Sequence, residues 1–192
     1  MIIFYMRPSF SLLFQQASLN PKPAMAKQYG GMGMEKSWQD VFDRFIYGIY
    51  LITISTDEGP NGMIASWVTQ CSHEPPRLAL AIRKNRLSHG QILETKKFCV
   101  NVLPRELAGV IKNFKIADWK NKFDKARHSL SSKGLPVLDE CIGYLDCILD
   151  QTVDAGDHTL FIGQIVAGGM KNPEKAETLS TFDYGGVYRG SA

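Results

Sequence analysis

The 192-residue sequence lacks several features that would have pointed to other classes of protein. It has no run of about 18 apolar residues, the length that predicts a membrane-spanning helix. Its four cysteines form no CxxC pair, and no carboxylate pair has metal-ligand spacing. The GxGxxG fingerprint of Rossmann folds and the order of a hydrolase triad are also missing. We therefore expect no membrane span, no metal site and reduced cysteines in a cytoplasmic protein.

Acidic residues are missing from the first 34 positions. Because Arg7, Lys22 and Lys27 lie there, the rest of the chain carries 19 basic and 19 acidic side chains and is neutral. A neutral domain has no electrostatic footprint for nucleic acid. We divide the chain into an N-terminal extension, residues 1–34, and one domain, residues 35–192. The extension is interpreted as disordered or as an over-extended gene start, with a targeting segment as the alternative.

The remaining sequence predicts many short strands and few helices. A helix is predicted from Ser37, which with Asp40 resembles a capping box, as far as Gly48. The turn signal DEGPNG between 49–56 and 62–70 predicts a hairpin. The further predictions are strands at 77–82, 98–103, 142–153 and 159–169, and helical segments in LSHGQILETKK, with Ser88 as candidate cap, and in RELAGVIKNFK. This pattern predicts a mainly β fold, an antiparallel barrel or sandwich with peripheral helices.

Two stretches combine residue types that suit a ligand. In NGMIASWVTQ (61–70), small side chains would let a flat ligand approach the backbone and hydrogen-bond to it. An ordinary second hairpin strand explains this stretch as well. In IRKNRLSHG (82–90), cations and a hydroxyl stand where a strand leads into a helix, which suits a phosphate. A solvated basic loop is the alternative there.

A third stretch, GDHTLFIGQIV (156–166), opens with an acid and a histidine before an apolar strand. The period of a strand places His158 on one face with Leu160 and Ile162, while Thr159 and Phe161 point the other way. We expect Asp157 to fix the tight DAGDH turn. His158 is either part of the polar rim of that turn or faces a ligand.

Taken in order, five segments resemble the flavin reductase-like, FMN-binding split β-barrel family, and within it the flavoredoxin and NADH:rubredoxin oxidoreductase-like branch. They are FIYGIYLITIS, NGMIASWVTQCSHEPPRLALAIRKNRLSHGQI, FCVNVL, GLPVL and GDHTLFIGQIV. The resemblance extends over residues 38–188. It implies an antiparallel split β-barrel with peripheral helices, and a homodimer that binds FMN at the subunit interface.

The resemblance also implies roles for particular residues. It places five residues along the isoalloxazine: Asn61, Met63, Ile64, Ala65 and Ser66. It places five more around the 5′-phosphate: Arg83, Lys84, Asn85, Ser88 and His89. Arg86 and Leu87 depart from the family pattern, since many relatives carry small polar residues at these positions. His158 matches the histidine of the family's GDH element and is the catalytic candidate, for binding or orientation on the flavin and nicotinamide side. Tyr47 and Tyr184 are further candidates for lining the flavin.

The implied function is that of an NAD(P)H:flavin reductase, or of an FMN electron-transfer protein that delivers electrons to rubredoxin, ferredoxin or a flavodiiron protein. In such proteins the cofactor carries the chemistry and the protein supplies geometry and electrostatics. One alternative is a split-barrel protein that holds flavin or haem without turnover. Another is a pyridoxamine-phosphate-oxidase-like enzyme, which would need a second phosphate site, and the sequence has no second basic cluster of that kind.

Overall fold

The computed structural model describes residues 33–175 and 177–183. The chain divides into two units, residues 1–42 and 43–192. In the described part of the first unit, helix α1 (Lys36–Phe42) carries an ion pair between Lys36 and Asp40 one turn apart. In the described part of the second unit lie the other regular elements: β1 (Tyr50–Thr56), β2 (Gly59–Ala65), β3 (Val68–Ser72), β4 (Arg77–Arg83), α2 (Leu87–Thr95), β5 (Lys97–Val102), 3₁₀ helices Arg105–Phe114 and Trp119–Asn121, β6 (His128–Leu130), β7 (Pro136–Leu138), β8 (Gly143–Asp154) and β9 (His158–Met170).

Seven of the strands form one antiparallel sheet in the order β2-β1-β5-β8-β9-β4-β3. The two edge strands, β2 and β3, are consecutive in the chain and are joined by residues 66 and 67 alone. Because so short a link cannot cross a flat seven-stranded sheet, the sheet must curl until its edges approach each other. The fold is therefore mainly β, an antiparallel split β-barrel with peripheral helices, as the sequence predicts.

The DEGPNG turn forms the predicted hairpin between β1 and β2. Thr56 pairs with Gly59, and the Thr56 hydroxyl donates to the Gly59 carbonyl oxygen at 2.9 Å while accepting from the Glu58 amide at 3.2 Å. Gly59 has φ +123°, a conformation that favours glycine. The predicted second strand is divided, because β2 ends at Ala65 and the chain crosses to the opposite edge to begin β3.

Two apolar clusters lie on opposite faces of the curled sheet. The inner cluster draws on strands around the whole barrel and on α2, and includes Ile52, Ile92 and Phe161. The outer cluster packs the other face of β1 and β2 against the 3₁₀ helix Arg105–Phe114 and β7. Three of the four cysteines are buried, Cys99 and Cys141 in the outer cluster and Cys147 in the inner one. They pack there as small hydrophobic side chains.

Two helix boundaries differ from the sequence prediction. Helix α1 ends at Phe42 instead of continuing to Gly48, because the backbone from Tyr47 onwards pairs with residues near Ser180. Helix α2 has Arg86 as its N-cap, so Ser88 is a helical residue and not the cap. The hydroxyl of Ser88 instead accepts a hydrogen bond from a neighbouring strand.

The remaining predictions of structure are confirmed or extended. The RELAGVIKNFK segment is helical, but as a 3₁₀ helix. Residues 116–134, for which no element was predicted, contain a second 3₁₀ turn, Trp119–Asn121, and strand β6, which pairs with β7. No helix among the described residues has the length and apolar content needed to cross a membrane.

Candidate functional site

The basic stretch IRKNRLSHG (82–90) and the stretch GDHTLFIGQIV (156–166) are neighbours in the barrel. Arg83, the last residue of β4, is paired with His158, the first residue of β9. The Lys84 amide then donates to the Asp157 carbonyl oxygen at 3.0 Å. The basic loop 83–89 and the turn 154–158 therefore lie side by side at one end of the barrel, where β9 begins.

His158 is held in a defined orientation. Its Nδ1 lies 2.7 Å from Asp157 Oδ1, and Asp157 Oδ2 lies 3.7 Å from the Arg83 guanidinium. The hydrogen bond from His158 is the main cause that lowers the pKa of Asp157. Because the carboxylate accepts a hydrogen bond from the Nδ1–H group, a neutral imidazole presents Nε2 as an acceptor. Strand alternation is as predicted: Thr159 and Phe161 are buried, while His158 is half-buried on the other face.

Trp67 is a member of this site that the sequence analysis did not single out. Its ring lies against the His158 imidazole, with 4.8 Å between centroids and 39° between planes. The Trp67 carbonyl oxygen accepts from the Ala81 amide at 3.0 Å, which holds the crossing between the sheet edges against β4. Trp67 is 49% exposed. The signal available in the sequence was a tryptophan directly after the small residues Ala65 and Ser66, since ligand pockets are lined mainly by apolar and aromatic side chains.

The residues predicted to line a flat ligand do not all face the same way. Asn61, Met63 and Ala65 lie on one face of β2, and the last two pack with the inner cluster. Ile64 packs in the outer cluster on the opposite face. Ser66 is buried in the crossing next to Trp67. Because the face of Met63 and Ala65 is turned to the inner cluster, the five predicted residues do not present one common open surface to a flat ligand.

Asn61 connects β2 with the beginning of α2. Its side chain is fully buried, and Nδ2 donates to Ser88 Oγ at 3.3 Å and to Gln91 Oε1 at 2.5 Å. Its Oδ1 accepts from the Gly62 amide at 2.7 Å. Asn61 and Ser88, which the sequence assigned to separate parts of a ligand, are thus in direct contact and hold the first turn of α2 against the strand.

His89, near the beginning of α2, packs against β9. Its Nε2 lies 2.9 Å from Thr159 Oγ1, and its ring meets Phe161 edge-on, with centroids 5.1 Å apart. Burial, with a smaller contribution from the charge of Lys84, lowers the pKa of His89. The side chain is therefore favoured in its neutral form, and only Nδ1 remains for a ligand.

The two leading cations of the basic loop already have acidic partners. Lys84 Nζ lies 2.8 Å from Asp154 Oδ1, and Arg83 is paired with Asp157. Asp154 Oδ1 also accepts from the Gly156 amide at 2.9 Å. Asp154 thus fixes the DAGDH turn, because its short side chain reaches the backbone two residues on, whereas the side chain of Asp157, the residue predicted for this role, contacts His158 and Arg83. Asn85 is exposed in the loop.

The two tyrosine candidates are not placed in this cluster by the contacts of the described residues. The backbone of Tyr47 pairs with Thr181, whose amide donates to the Tyr47 carbonyl oxygen at 2.8 Å. The Thr181 hydroxyl accepts from the Tyr47 amide at 3.0 Å, and burial raises the pKa of the phenol. Tyr184 lies outside the described residues. Within residues 33–175 and 177–183, no three His, Cys, Asp or Glu side chains are grouped to hold a metal ion.

The curled antiparallel sheet is that of a split β-barrel, and comparison with known families identifies the family. The model of the flavin reductase like domain matches residues 42–191. The chain therefore belongs to the flavin reductase-like family. A flavin reductase of Pseudomonas putida is 30% identical over 147 residues, which cover 76% of this chain and 86% of that protein.

A second relative is longer than this chain. A protein of Moorella thermoacetica named high molecular weight rubredoxin is 40% identical over 124 residues. The match covers 62% of this chain and 54% of that protein, so the chain corresponds to about half of that relative.

Solved structures share the fold. A homologue of nitrilotriacetate monooxygenase component B from Mycobacterium thermoresistibile has a TM-score of 0.71 at 23% identity, covering 82% of this chain and 83% of that one. The NADH:FAD oxidoreductase of Streptomyces globisporus C-1027, crystallised with NAD and FAD fragments, has a TM-score of 0.68 at 24% identity, covering 74% and 84%. At these identities the likeness establishes the fold alone.

Proposed function

We propose that the protein binds FMN non-covalently and works as an NAD(P)H-dependent flavin oxidoreductase. The observation that carries this proposal is the cluster at the start of β9. There the half-exposed Trp67, the oriented His158 and the basic loop 83–89 meet in a chain of the flavin reductase-like family. The flavin reductase of Pseudomonas putida supports the activity, since this chain matches most of its length.

The residues present fit a flavin. A flat ring system needs an accessible aromatic neighbour beside small side chains, and the half-exposed Trp67 directly follows the buried, small Ala65 and Ser66 in the chain. A phosphate needs cations and hydrogen-bond donors, which the junction between β4 and α2 offers. The bound flavin would supply the electron-accepting and electron-donating chemistry, and the protein supplies position and charge.

Within that site we assign His158 an orienting role. Asp157 holds Nδ1 and Trp67 packs against the ring, so Nε2 keeps a fixed direction. A fixed Nε2 can accept a hydrogen bond from an amide of the nicotinamide or donate one to a carbonyl when protonated. No proton transfer by His158 is needed for a hydride to pass between two cofactors in contact.

NADH or NADPH is the proposed donor, supported by the NADH:FAD oxidoreductase that shares the fold. An iron protein of the rubredoxin kind is the proposed acceptor, supported by the 40% identity to the protein named high molecular weight rubredoxin. A homodimer is the proposed assembly, and sedimentation at two protein concentrations would test it.

The proposal is tested by mixing FMN-loaded protein anaerobically with NADH, NADPH or chemically reduced rubredoxin in separate experiments. Rapid loss of the visible flavin absorbance with a pyridine nucleotide supports the reductase. Loss with reduced rubredoxin alone would make the protein an electron carrier without a nicotinamide donor. A flavin that none of the three reduces would contradict the oxidoreductase and leave a binding protein.

A further inference from the structure

Lys122 occupies a position that is unusual for a lysine. It follows the 3₁₀ helix Trp119–Asn121 and is half-buried. Its ammonium donates to the Gly62 carbonyl oxygen at 2.8 Å and to Asn61 Oδ1 at 3.2 Å. Both acceptors are neutral, whereas lysines that leave solvent are normally paired with an acid. Its positive charge is therefore only partly compensated by the protein.

No carboxylate in the described part of the chain forms an ion pair with Lys122. Its neighbour Lys120, by contrast, is paired with Glu58 at 2.8 Å. Burial, and then the nearby positive charge of Arg86, lower the pKa of Lys122. The fold thus holds two cations within electrostatic reach of each other, an arrangement that an anion would stabilise.

The position of Lys122 relates it to the proposed cofactor site. Asn61, to which it donates, also donates to Ser88 in the first turn of α2. Arg86 is the N-cap of the same helix. The N-terminal end of a helix carries partial positive charge, which adds to that of the two side chains. An ammonium has three N–H groups, and two of those in Lys122 have acceptors, so one remains for a ligand oxygen.

The cations that the sequence assigned to a phosphate are paired with carboxylates, whereas Lys122 is not. Arg83 and Lys84 already have Asp157 and Asp154 as partners. A phosphate would have to compete with these carboxylates for them. We propose that Lys122, acting with Arg86, binds the phosphate of the flavin mononucleotide, and that Lys122 and not Lys84 supplies the main charge for it. This assignment rests on the proposed function.

The test compares two ligands that differ only in the phosphate, FMN and riboflavin. Dissociation constants are measured by quenching of flavin fluorescence for the wild type and for Lys122→Met, which keeps the apolar stem. Loss of a charge-assisted hydrogen bond should weaken FMN binding by about 10- to 100-fold and leave riboflavin unchanged. Lys122→Arg should retain the preference for FMN. Lys120→Met, which has the same change in net charge, should bind both ligands as the wild type does.

The outcomes separate the inference from the proposed function. If Lys122→Met weakens FMN and riboflavin equally, or weakens neither, the assignment of Lys122 is wrong while flavin binding stands. If the wild type binds neither ligand, both proposals fail. Far-ultraviolet circular dichroism checks that each variant folds. If Lys122→Met does not fold, Lys122→Gln takes its place in the same comparison. A ratio of the two dissociation constants unchanged in Lys122→Gln would equally overturn the assignment.

Discussion

Replacing Asn61 by alanine should destabilise the barrel and loosen the beginning of α2. The side chain is fully buried and takes part in four hydrogen bonds, to Ser88, Gln91, Gly62 and Lys122. The three shorter ones, at 2.5, 2.7 and 3.2 Å, each contribute about 0.5–1.5 kcal/mol. Leaving the buried Gln91 acceptor unsatisfied adds about 1–3 kcal/mol. Together these terms predict a loss of about 2.5–7.5 kcal/mol in the free energy of unfolding.

Urea unfolding followed by circular dichroism measures this loss. Asn85→Ala makes the same chemical change at an exposed position of the loop, and its free energy of unfolding should stay within about 0.5 kcal/mol of the wild type. Affinity for FMN should also fall in Asn61→Ala, because Ser88 and Lys122 lose the group that positions them. A loss of stability below about 1 kcal/mol would show that the buried network does not hold α2 as we argue.

Three further predictions concern other parts of the barrel. Because the folded state lowers the pKa of His89, the unfolded chain binds a proton at a higher pH than the folded chain does. The free energy of unfolding should therefore fall as the pH drops below about 6.5, and this dependence on pH should be weaker in His89→Gln. Gly163→Ala should cost about 1–3 kcal/mol in urea unfolding, since a Cβ there would lie 2.6 Å from Phe98 Cζ. Trp67→Ala should weaken FMN binding measured by fluorescence more than Trp67→Phe, which keeps an aromatic face towards His158.

Each of these has a result that would refute it. A pH slope identical in His89→Gln and the wild type would place the titrating group elsewhere. Full stability of Gly163→Ala would show that Phe98 moves without cost. Equal FMN affinity of Trp67→Ala and Trp67→Phe would remove the aromatic face from the site.

Local patterns predicted much of the fold because the structure follows them closely. DEGPNG forms the hairpin, with Gly59 at a positive φ, and the alternation through Thr159 and Phe161 places the inner face of β9 correctly. The division of the predicted strand after Ala65 was not predictable. It depends on the sheet curling so that the chain can cross from one edge to the other, and no local pattern encodes that closure.

The sequence predicted which segments carry the candidate site residues, but not the contacts that those residues make. The basic loop and the GDH element do meet, through the pairing of Arg83 with His158. The ion pair of Lys84 with Asp154 spans 70 residues, and the hydrogen bond from Lys122 to Asn61 spans 61 residues. Such distant partners decide which charge is available to a ligand, and spacing along the chain does not reveal them. Asn61 is also distant in the chain from Ser88, so spacing could not reveal that the hydroxyl of Ser88, an expected cap, accepts a hydrogen bond from Asn61.

Flavin binding is the central claim, and the visible spectrum of the protein tests it most directly. The protein is incubated with excess FMN and passed through a desalting column to remove the free cofactor. The spectrum and protein content of the eluate then give the amount of flavin bound per chain. We expect FMN to elute with the protein in equal molar amount and to lose its visible absorbance on anaerobic addition of NADH or NADPH. A colourless eluate that also fails to oxidise either nucleotide in the presence of free FMN would contradict the account.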